Sequence, residues 1–245
     1  MINTLLHYLE GDKMNRFLSN YPALLLAIAL FLLFSTQGDV IAEQKGEDAV
    51  SFRWAFGAVV GSTDDRRLVA ITRDTVPKTG DRLKLLLQLK NRCFVYLFYR
   101  TAEDEISLLF PYTLKLFESD YKTGEKYYIP KGKTWFELDK NVGLETFYLL
   151  ASGKRLHQLE ALYRKYDSVV GEEKEKLGKQ LLAEIRKIKR KHRKLATSAE
   201  RPIAIGGNVR GVVKDEKLAF PDIDPIASEV SASNFYGKTF TIDHK

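Results

Sequence analysis

Residues 82–89 read RLKLLLQL, and residues 93–99 read CFVYLFY. In the first stretch every second residue from Leu83 to Leu89 is leucine, and the positions between them are mostly polar. This two-residue period predicts a strand with one buried face. The second stretch is apolar on both faces, which is typical of a central strand. Residues 52–60, FRWAFGAVV, repeat the two-residue period and predict a third strand.

Other short segments extend this pattern along the first part of the chain. Turn sequences that contain Gly, Pro or Asn separate them, as at residues 77–80 and 122–124. Eight short strands with no helix between them predict an antiparallel sandwich or barrel rather than alternating strands and helices, and we expect the sandwich. The further strand candidates are residues 67–72, 105–110, 125–129, 133–138 and 144–151.

After residue 152 the apolar period changes to that of a helix. Apolar residues recur every three or four positions over residues 154–170 and again over 172–196, with Gly171 between them. Residues 235–242 predict a last strand that returns to the β domain. The expected fold is therefore mainly β, an antiparallel β-sandwich with an inserted α-helical hairpin.

The expected domain organisation has four parts. We expect a signal peptide or signal anchor at residues 1–42 and a β-sandwich domain at 50–152. A basic helical hairpin is expected at 153–198, and a loop with a C-terminal strand that completes the β domain at 199–245.

The N-terminal apolar segment predicts where the protein resides. Residues 22–34 carry no polar side-chain atom, and this length suits the core of a secretory signal better than a spanning helix of about 20 residues. Val40 and Ala42 then predict cleavage before Glu43. A start at Met14 instead of Met1 would give the signal a compact basic segment ahead of its apolar core. The alternative is an uncleaved anchor that associates with the membrane. Both interpretations predict an extracytoplasmic protein, periplasmic or secreted.

The net charge of +7 is concentrated in one segment. Residues 186–194 contain seven Lys and Arg and no acid, which leaves 32 basic against 32 acidic residues in the rest of the chain. We expect this basic helix to contact an acidic protein or an anionic envelope component, and the export signal disfavours nucleic acid. The alternative is a solvated helix end that the macrodipole stabilises. The expected anion-binding residues are Arg186, Lys187, Lys189, Arg190, Lys191, Arg193 and Lys194.

No motif predicts catalysis, a metal site or a cofactor. The GKT triplets at residues 132–134 and 237–239 lack the glycine that a phosphate-binding loop needs five positions earlier. The sequence contains neither H-E-x-x-H nor G-x-S-x-G. Four histidines and one cysteine do not support a structural zinc site, and Cys93 is expected to be a buried apolar residue.

Several strand and turn fragments follow one another in a particular order. They are TGD at 79–81, YLFY at 96–99, LLFP at 108–111, YIP at 128–130, FELD at 136–139, GLE at 143–145 and LAS at 150–152. Their order and spacing resemble the bacterial domain-of-unknown-function family 4384 over residues 70–152. The resemblance implies a β-rich module of bacterial proteins, found alone behind export signals or attached to other domains, with no known catalytic residue.

These observations predict an exported non-catalytic module that binds a protein or another envelope component. One alternative is an envelope enzyme whose active site is built from loops. Another is an oligomeric structural protein that pairs through the apolar stripe of the hairpin. A further alternative for the binding surface is an exposed row of tyrosines near strand ends: Tyr99, Tyr112, Tyr121, Tyr127 and Tyr128.

Overall fold

Two antiparallel sheets pack face to face in the computed structural model, which describes residues 48–61, 66–72, 77–138, 143–193, 198–202 and 221–244. The strands are β1 (Val50–Val60), β2 (Arg67–Ala70), β3 (Arg82–Leu89), β4 (Phe94–Arg100), β5 (Ile106–Phe110), β6 (Lys126–Ile129), β7 (Phe136–Glu137), β8 (Gly143–Ser152), β9 (Ser198–Pro202), β10 (Ser228–Ala232) and β11 (Phe235–His244). The helices are α1 (His157–Asp167) and α2 (Gly171–Arg193), with 3-10 turns at Leu114–Glu118 and Asp224–Ile226.

The larger sheet has the strand order β6-β3-β1-β10-β9, with β2 beside β1 and β7 beside β3. The smaller sheet has the order β11-β8-β4-β5. β11 pairs with β8 over ten residues, from Phe235 opposite Ser152 to His244 opposite Gly143. The predicted fold class is confirmed: the protein is mainly β, an antiparallel sandwich into which a helical hairpin is inserted.

Alternate residues of the strands build the core between the sheets. Phe52, Trp54 and Phe56 of β1 point into it, as the two-residue period predicts. The ring of Phe56 lies 5.0 Å from that of Phe147 on β8, and Trp54 lies 5.0 Å from Phe240 on β11. All five side chains are buried, so this aromatic layer contributes much of the hydrophobic free energy that joins the sheets.

The helical hairpin covers the outer face of the smaller sheet. Leu159 of α1 and Leu181 and Ile185 of α2 are fully buried against Phe98 and Leu150. β4 therefore has a covered face on each side, which explains why residues 93–99 are apolar throughout. The apolar stripe of the hairpin packs within the chain, so it is not free to join two copies as the oligomer hypothesis requires.

A buried ion pair fixes the start of α1 to the smaller sheet. Arg155 donates to both carboxylate oxygens of Glu160, at 3.0 and 2.6 Å, and Glu160 is 1% exposed. The hydroxyl of Tyr96 on β4 donates to Glu160 Oε1 at 2.7 Å and accepts from the Leu156 N–H at 3.0 Å. Burial opposes ionisation of Glu160, but the hydrogen bonds from Arg155 and Tyr96 outweigh it and hold its pKa below the usual value.

One predicted strand is much shorter than expected. Residues 133–138 predict a strand, but only Phe136–Glu137 pairs with β3. The Lys84 ammonium, buried on the outer face of β3, donates to the carbonyls of Gly132 and Thr134 at 2.8 and 2.5 Å. Those carbonyls therefore turn towards the lysine, and the segment before Phe136 forms a loop over it.

The expected signal segment, residues 1–42, lies outside the described residues. Within the described ranges, no helix has the length and apolar character needed to cross a membrane. Export and the domain boundaries therefore stay predictions.

Candidate anion-binding face of the helical hairpin

The predicted basic residues divide between two sides of α2. Lys189 lies on the sheet side, where its ammonium donates to the Thr239 hydroxyl of β11 and burial lowers its pKa. For Arg193 the structure describes the helical backbone, and Lys194 lies outside the described residues. The exposed basic residues with described side chains are Arg186, Lys187, Arg190 and Lys191.

A histidine shares the sheet side of α2 with Lys189. The ring of His192 stacks on Phe235 of β11, with centroids 4.5 Å apart. Burial and the nearby Lys191 lower the pKa of His192, so its imidazole is neutral at pH 7. Residues three apart on a helix share a face, and Lys189 and His192 therefore dock the end of α2 on β11. The exposed basic surface of α2 is consequently narrower than the sequence predicts.

A groove of about 540 Å³ lies between α1 and α2. Its α2 side extends from Gln180 to Arg190, which corresponds to about 15 Å along a helix. That is roughly the length of four or five residues of extended chain. The groove is lined by Gln158, Ala161, Leu162 and Lys165 of α1 and by Gln180, Ala183, Glu184, Lys187 and Arg190 of α2.

The groove lining is positively charged. It carries Lys165, Lys187 and Arg190 against the single carboxylate of Glu184. Lys187 lies 3.1 Å from Glu184, so this pair is neutral and the lining keeps two positive charges. The groove therefore attracts carboxylates and other anions, with a strength that salt reduces.

The basic run in the sequence predicts the charges of α2 but not Lys165 of α1. Gln158, Leu162 and Lys165 recur at the helical spacing that puts them on one face of α1. That spacing was the one sequence feature that could have placed Lys165 beside the groove. The pairing of this face with α2 depends on how the two helices dock on the smaller sheet, which no local pattern encodes.

The tyrosines near strand ends do not form an exposed row. The Tyr121 hydroxyl accepts from the Val95 N–H at 3.0 Å, and the Tyr112 hydroxyl donates to the Tyr128 carbonyl at 2.7 Å. The Tyr127 hydroxyl accepts from a backbone N–H of its own loop at 2.7 Å, and its ring is buried. These side chains hold loops against the sandwich, so the hypothesis of an aromatic binding platform is wrong.

Other groups with chemical potential have structural roles. Cys93 is fully buried, as expected, and burial raises its pKa to about 11, so its thiol stays protonated at neutral pH. The Asp224 carboxylate lies 3.1 Å from both Arg53 and Lys126, which neutralise it. In the part of the chain that the structure describes, no three His, Cys, Asp or Glu side chains come together to hold a metal ion.

Comparison with known proteins identifies one segment of the chain. Residues 77–155 match the family described as "Domain of unknown function (DUF4384)", which confirms the resemblance over that segment. The segment includes β3 to β8, whereas α1 and α2 follow it. No curated protein and no solved structure matches the chain.

Proposed function

Starting from a sandwich segment whose family has no defined activity, we propose that this chain is an exported, non-catalytic module that binds an acidic segment of a partner protein. The binding site is the groove between α1 and α2. The observation that carries the proposal is the charge of the lining, in which Lys165, Lys187 and Arg190 face a single carboxylate, Glu184. Such a surface favours acidic partners through attraction and repels basic ones.

The anchoring of the hairpin supports a preformed site. Leu181 and Ile185 are fully buried against the smaller sheet, and the Arg155–Glu160 ion pair holds the start of α1. A partner that enters the groove therefore does not have to order the two helices. Preorganisation of this kind improves affinity because less conformational entropy is lost on binding.

The mixed chemistry of the groove favours a peptide over a simple anion. Ala161 and Ala183 are small and exposed, and Leu162 is half-buried, so an apolar side chain can lie between the helices. Lys165 and Arg190 supply charges beside that apolar surface. An extended segment with acidic and apolar side chains uses both features.

Charge reversal in the groove tests this proposal. We expect a fluorescent peptide of alternating Glu and Leu to bind the protein in low salt. We also expect the Lys165→Glu/Arg190→Glu variant to weaken this binding by about tenfold or more. Each exposed ion pair contributes about 0.2–1 kcal/mol, and reversal adds repulsion, so two sites reach the roughly 1.4 kcal/mol of a tenfold change. Fluorescence anisotropy at two salt concentrations measures the effect.

A matched double reversal on the larger sheet is the control, because the hairpin packs on the smaller sheet. Lys90 and Lys133 are exposed in loops beside β3 and β7, so Lys90→Glu/Lys133→Glu changes the net charge by the same amount. We expect this variant to bind the peptide nearly as well as the natural protein. Equal losses in both variants would show that net charge alone attracts the peptide, and the groove would then not be the site.

Export is the second part of the proposed function. We expect the mature protein to start at Glu43 and to appear in a soluble extracytoplasmic fraction, because residues 22–34 have the length of a secretory signal core. N-terminal sequencing of the protein from fractionated cells measures this directly. A retained apolar segment in the membrane fraction would instead show a signal anchor, and a chain recovered from the cytoplasm would contradict export.

A further inference from the structure

A carboxylate occupies an inward-facing position at one end of the sandwich. On β8, Phe147, Leu149 and Ala151 point into the core between the sheets, and Glu145 continues the same two-residue period. A charged side chain at such a position breaks the pattern that builds the core. Natural proteins concentrate these exceptions at functional sites. Glu145 therefore indicates a site within the sandwich that is separate from the hairpin groove.

Glu145 lines a cavity of about 120 Å³ between the two sheets. Leu83 and Leu138 of the larger sheet side and Leu109 of the smaller sheet form much of its apolar wall. At about 30 Å³ per molecule, the volume corresponds to roughly four waters, each of which needs two to four polar partners. The rest of the lining includes three polar groups, the Tyr99 hydroxyl and the carboxylates of Glu137 and Glu145. This mixed lining suits a small ligand with an apolar body and one polar head.

The charge of the cavity selects the sign of that polar head. Tyr99 donates a hydrogen bond from its hydroxyl to Glu145 Oε1, which occupies one of the roughly four acceptor positions of the carboxylate. The second carboxylate at the cavity, Glu137, lies 3.0 Å from the Arg82 guanidinium and is neutralised by it. Among the described residues that line the cavity, the charge that remains is that of Glu145, so a cationic head complements it.

Three aromatic rings surround the same space. Tyr99, Phe136 and Phe147 all line the cavity, and the centroids of Tyr99 and Phe147 are 4.8 Å apart. Ring faces attract ammonium groups through their quadrupole, and the attraction is strongest where water is excluded. We propose that this cavity binds a small organic ammonium group with an apolar stem of about four or five non-hydrogen atoms. The group can be a free amine or the end of a lysine side chain from a partner.

A pair of probes of equal size tests the proposal. Titration of the full-length protein with n-butylammonium chloride and with n-butanol, followed by saturation-transfer NMR, compares a cation with its neutral counterpart. We expect the ammonium to bind at least tenfold more tightly than the alcohol. Equal binding of the two probes, or no binding of the ammonium, would overturn the proposal whatever happens at the hairpin groove.

Two variants assign the binding to Glu145. Glu145→Gln keeps an acceptor for the Tyr99 hydroxyl and removes the charge, so we expect it to lower the affinity for butylammonium about tenfold and to leave butanol unaffected. Glu103→Gln removes an exposed carboxylate from a loop outside the cavity, and we expect it to change neither affinity. If both variants behave alike, the ammonium binds elsewhere and the proposal fails. The comparison of the two probes on the natural protein stands even if a variant does not fold.

A third probe distinguishes the two sources of the ammonium. Nα-acetyl-lysine amide presents the same amine on a peptide backbone. Competition between this probe and butylammonium for the cavity would identify a lysine side chain as an acceptable ligand. Binding of butylammonium without such competition would restrict the site to free amines. We expect the Lys165→Glu/Arg190→Glu variant to leave all of these affinities unchanged, because the hairpin groove and the cavity share no lining residue.

Discussion

Replacement of Arg155 by methionine is expected to lower the free energy of unfolding by about 3–5 kcal/mol. The substitution keeps the aliphatic stem but leaves Glu160, which is 1% exposed, without its main counter-charge. The remaining partners of that carboxylate are the Tyr96 hydroxyl at 2.7 Å and the exposed Arg164 at 3.5 Å. An uncompensated charge in a buried site costs several kcal/mol. Urea unfolding at pH 7 measures the change.

Two further variants separate burial of the charge from loss of a salt bridge. The side chain of Arg164, the second partner of Glu160, is 58% exposed. Arg164→Met should therefore cost at most about 1 kcal/mol. The double variant Arg155→Met/Glu160→Met removes both buried charges, and we expect it to recover most of the lost stability. If Arg155→Met alone stayed within about 1 kcal/mol of the natural protein, the pair would not anchor the hairpin.

The loss of unfolding free energy in Arg155→Met should also depend on pH. In the natural protein the folded-state pKa of Glu160 lies below the usual 4.5, so its charge stabilises the fold above that pH and the contribution is lost as the pH falls. At low pH Glu160 is protonated with or without Arg155. The difference in unfolding free energy between the two proteins therefore narrows below about pH 4.5. A constant difference from pH 7 to pH 3 would argue against the charge as its cause.

Truncation of Phe110 to alanine is expected to cost about 3–5 kcal/mol, the range for a large aromatic residue in a well-packed core. Phe110 ends β5, is 0% exposed, and lies 5.3 Å from the ring of Tyr127 and 5.5 Å from that of Tyr112. The hydroxyls of both tyrosines are hydrogen-bonded to the backbone, so their rings cannot move into the space left by Phe110 without losing those bonds. Since single domains are stable by about 5–15 kcal/mol, the loss is a large share of the total.

An exposed apolar residue provides the comparison. Val170, between the two helices, is 85% exposed, so Val170→Ala should stay within about 0.5 kcal/mol of the natural protein. Guanidinium unfolding followed by tryptophan fluorescence reports both variants, because Trp54 lies in the core between the sheets. A small effect of Phe110→Ala would mean that the rings around Phe110 repack and that the core is less specific than its geometry indicates.

The strands and helices that were predicted correctly are those in which burial alone sets the spacing of apolar residues. The inward-facing residues of β1 and β3 are buried throughout, so their alternation predicted both strands. The expectation of a single buried face is wrong, because Ala55 and Leu86 on the other face are buried with Ile223 and Ala227. β4 is covered on both sides, and its unbroken apolar run identified it as central. The hairpin was predictable for the same reason, since its buried stripe, including Leu181 and Ile185, recurs at helical spacing.

The elements that escaped prediction have weak or mixed patterns. β9 contains a glutamate, an arginine and a proline, and it forms an edge of the larger sheet, where proline is tolerated. β10 buries Val230 and Ala232 among serines, so its apolar period is too short to recognise. The hairpin groove and the cavity depend on residues from separate elements. Glu145 was visible in the sequence as a polar residue in an apolar strand, but the rings around it come together only in the folded sandwich.

The pairing of β8 with β11 has a consequence for how the chain folds. The partner that covers the open edge of β8 arrives only after α1, α2, β9 and β10 have been made. Contacts between such distant segments carry a large loop-closure entropy and slow the folding of β proteins. During synthesis the chain therefore passes through a stage in which ten residues of β8 expose an unpaired edge, which is a template for aggregation. A holding chaperone that shields this edge until β11 emerges would lower the risk of aggregation during that stage.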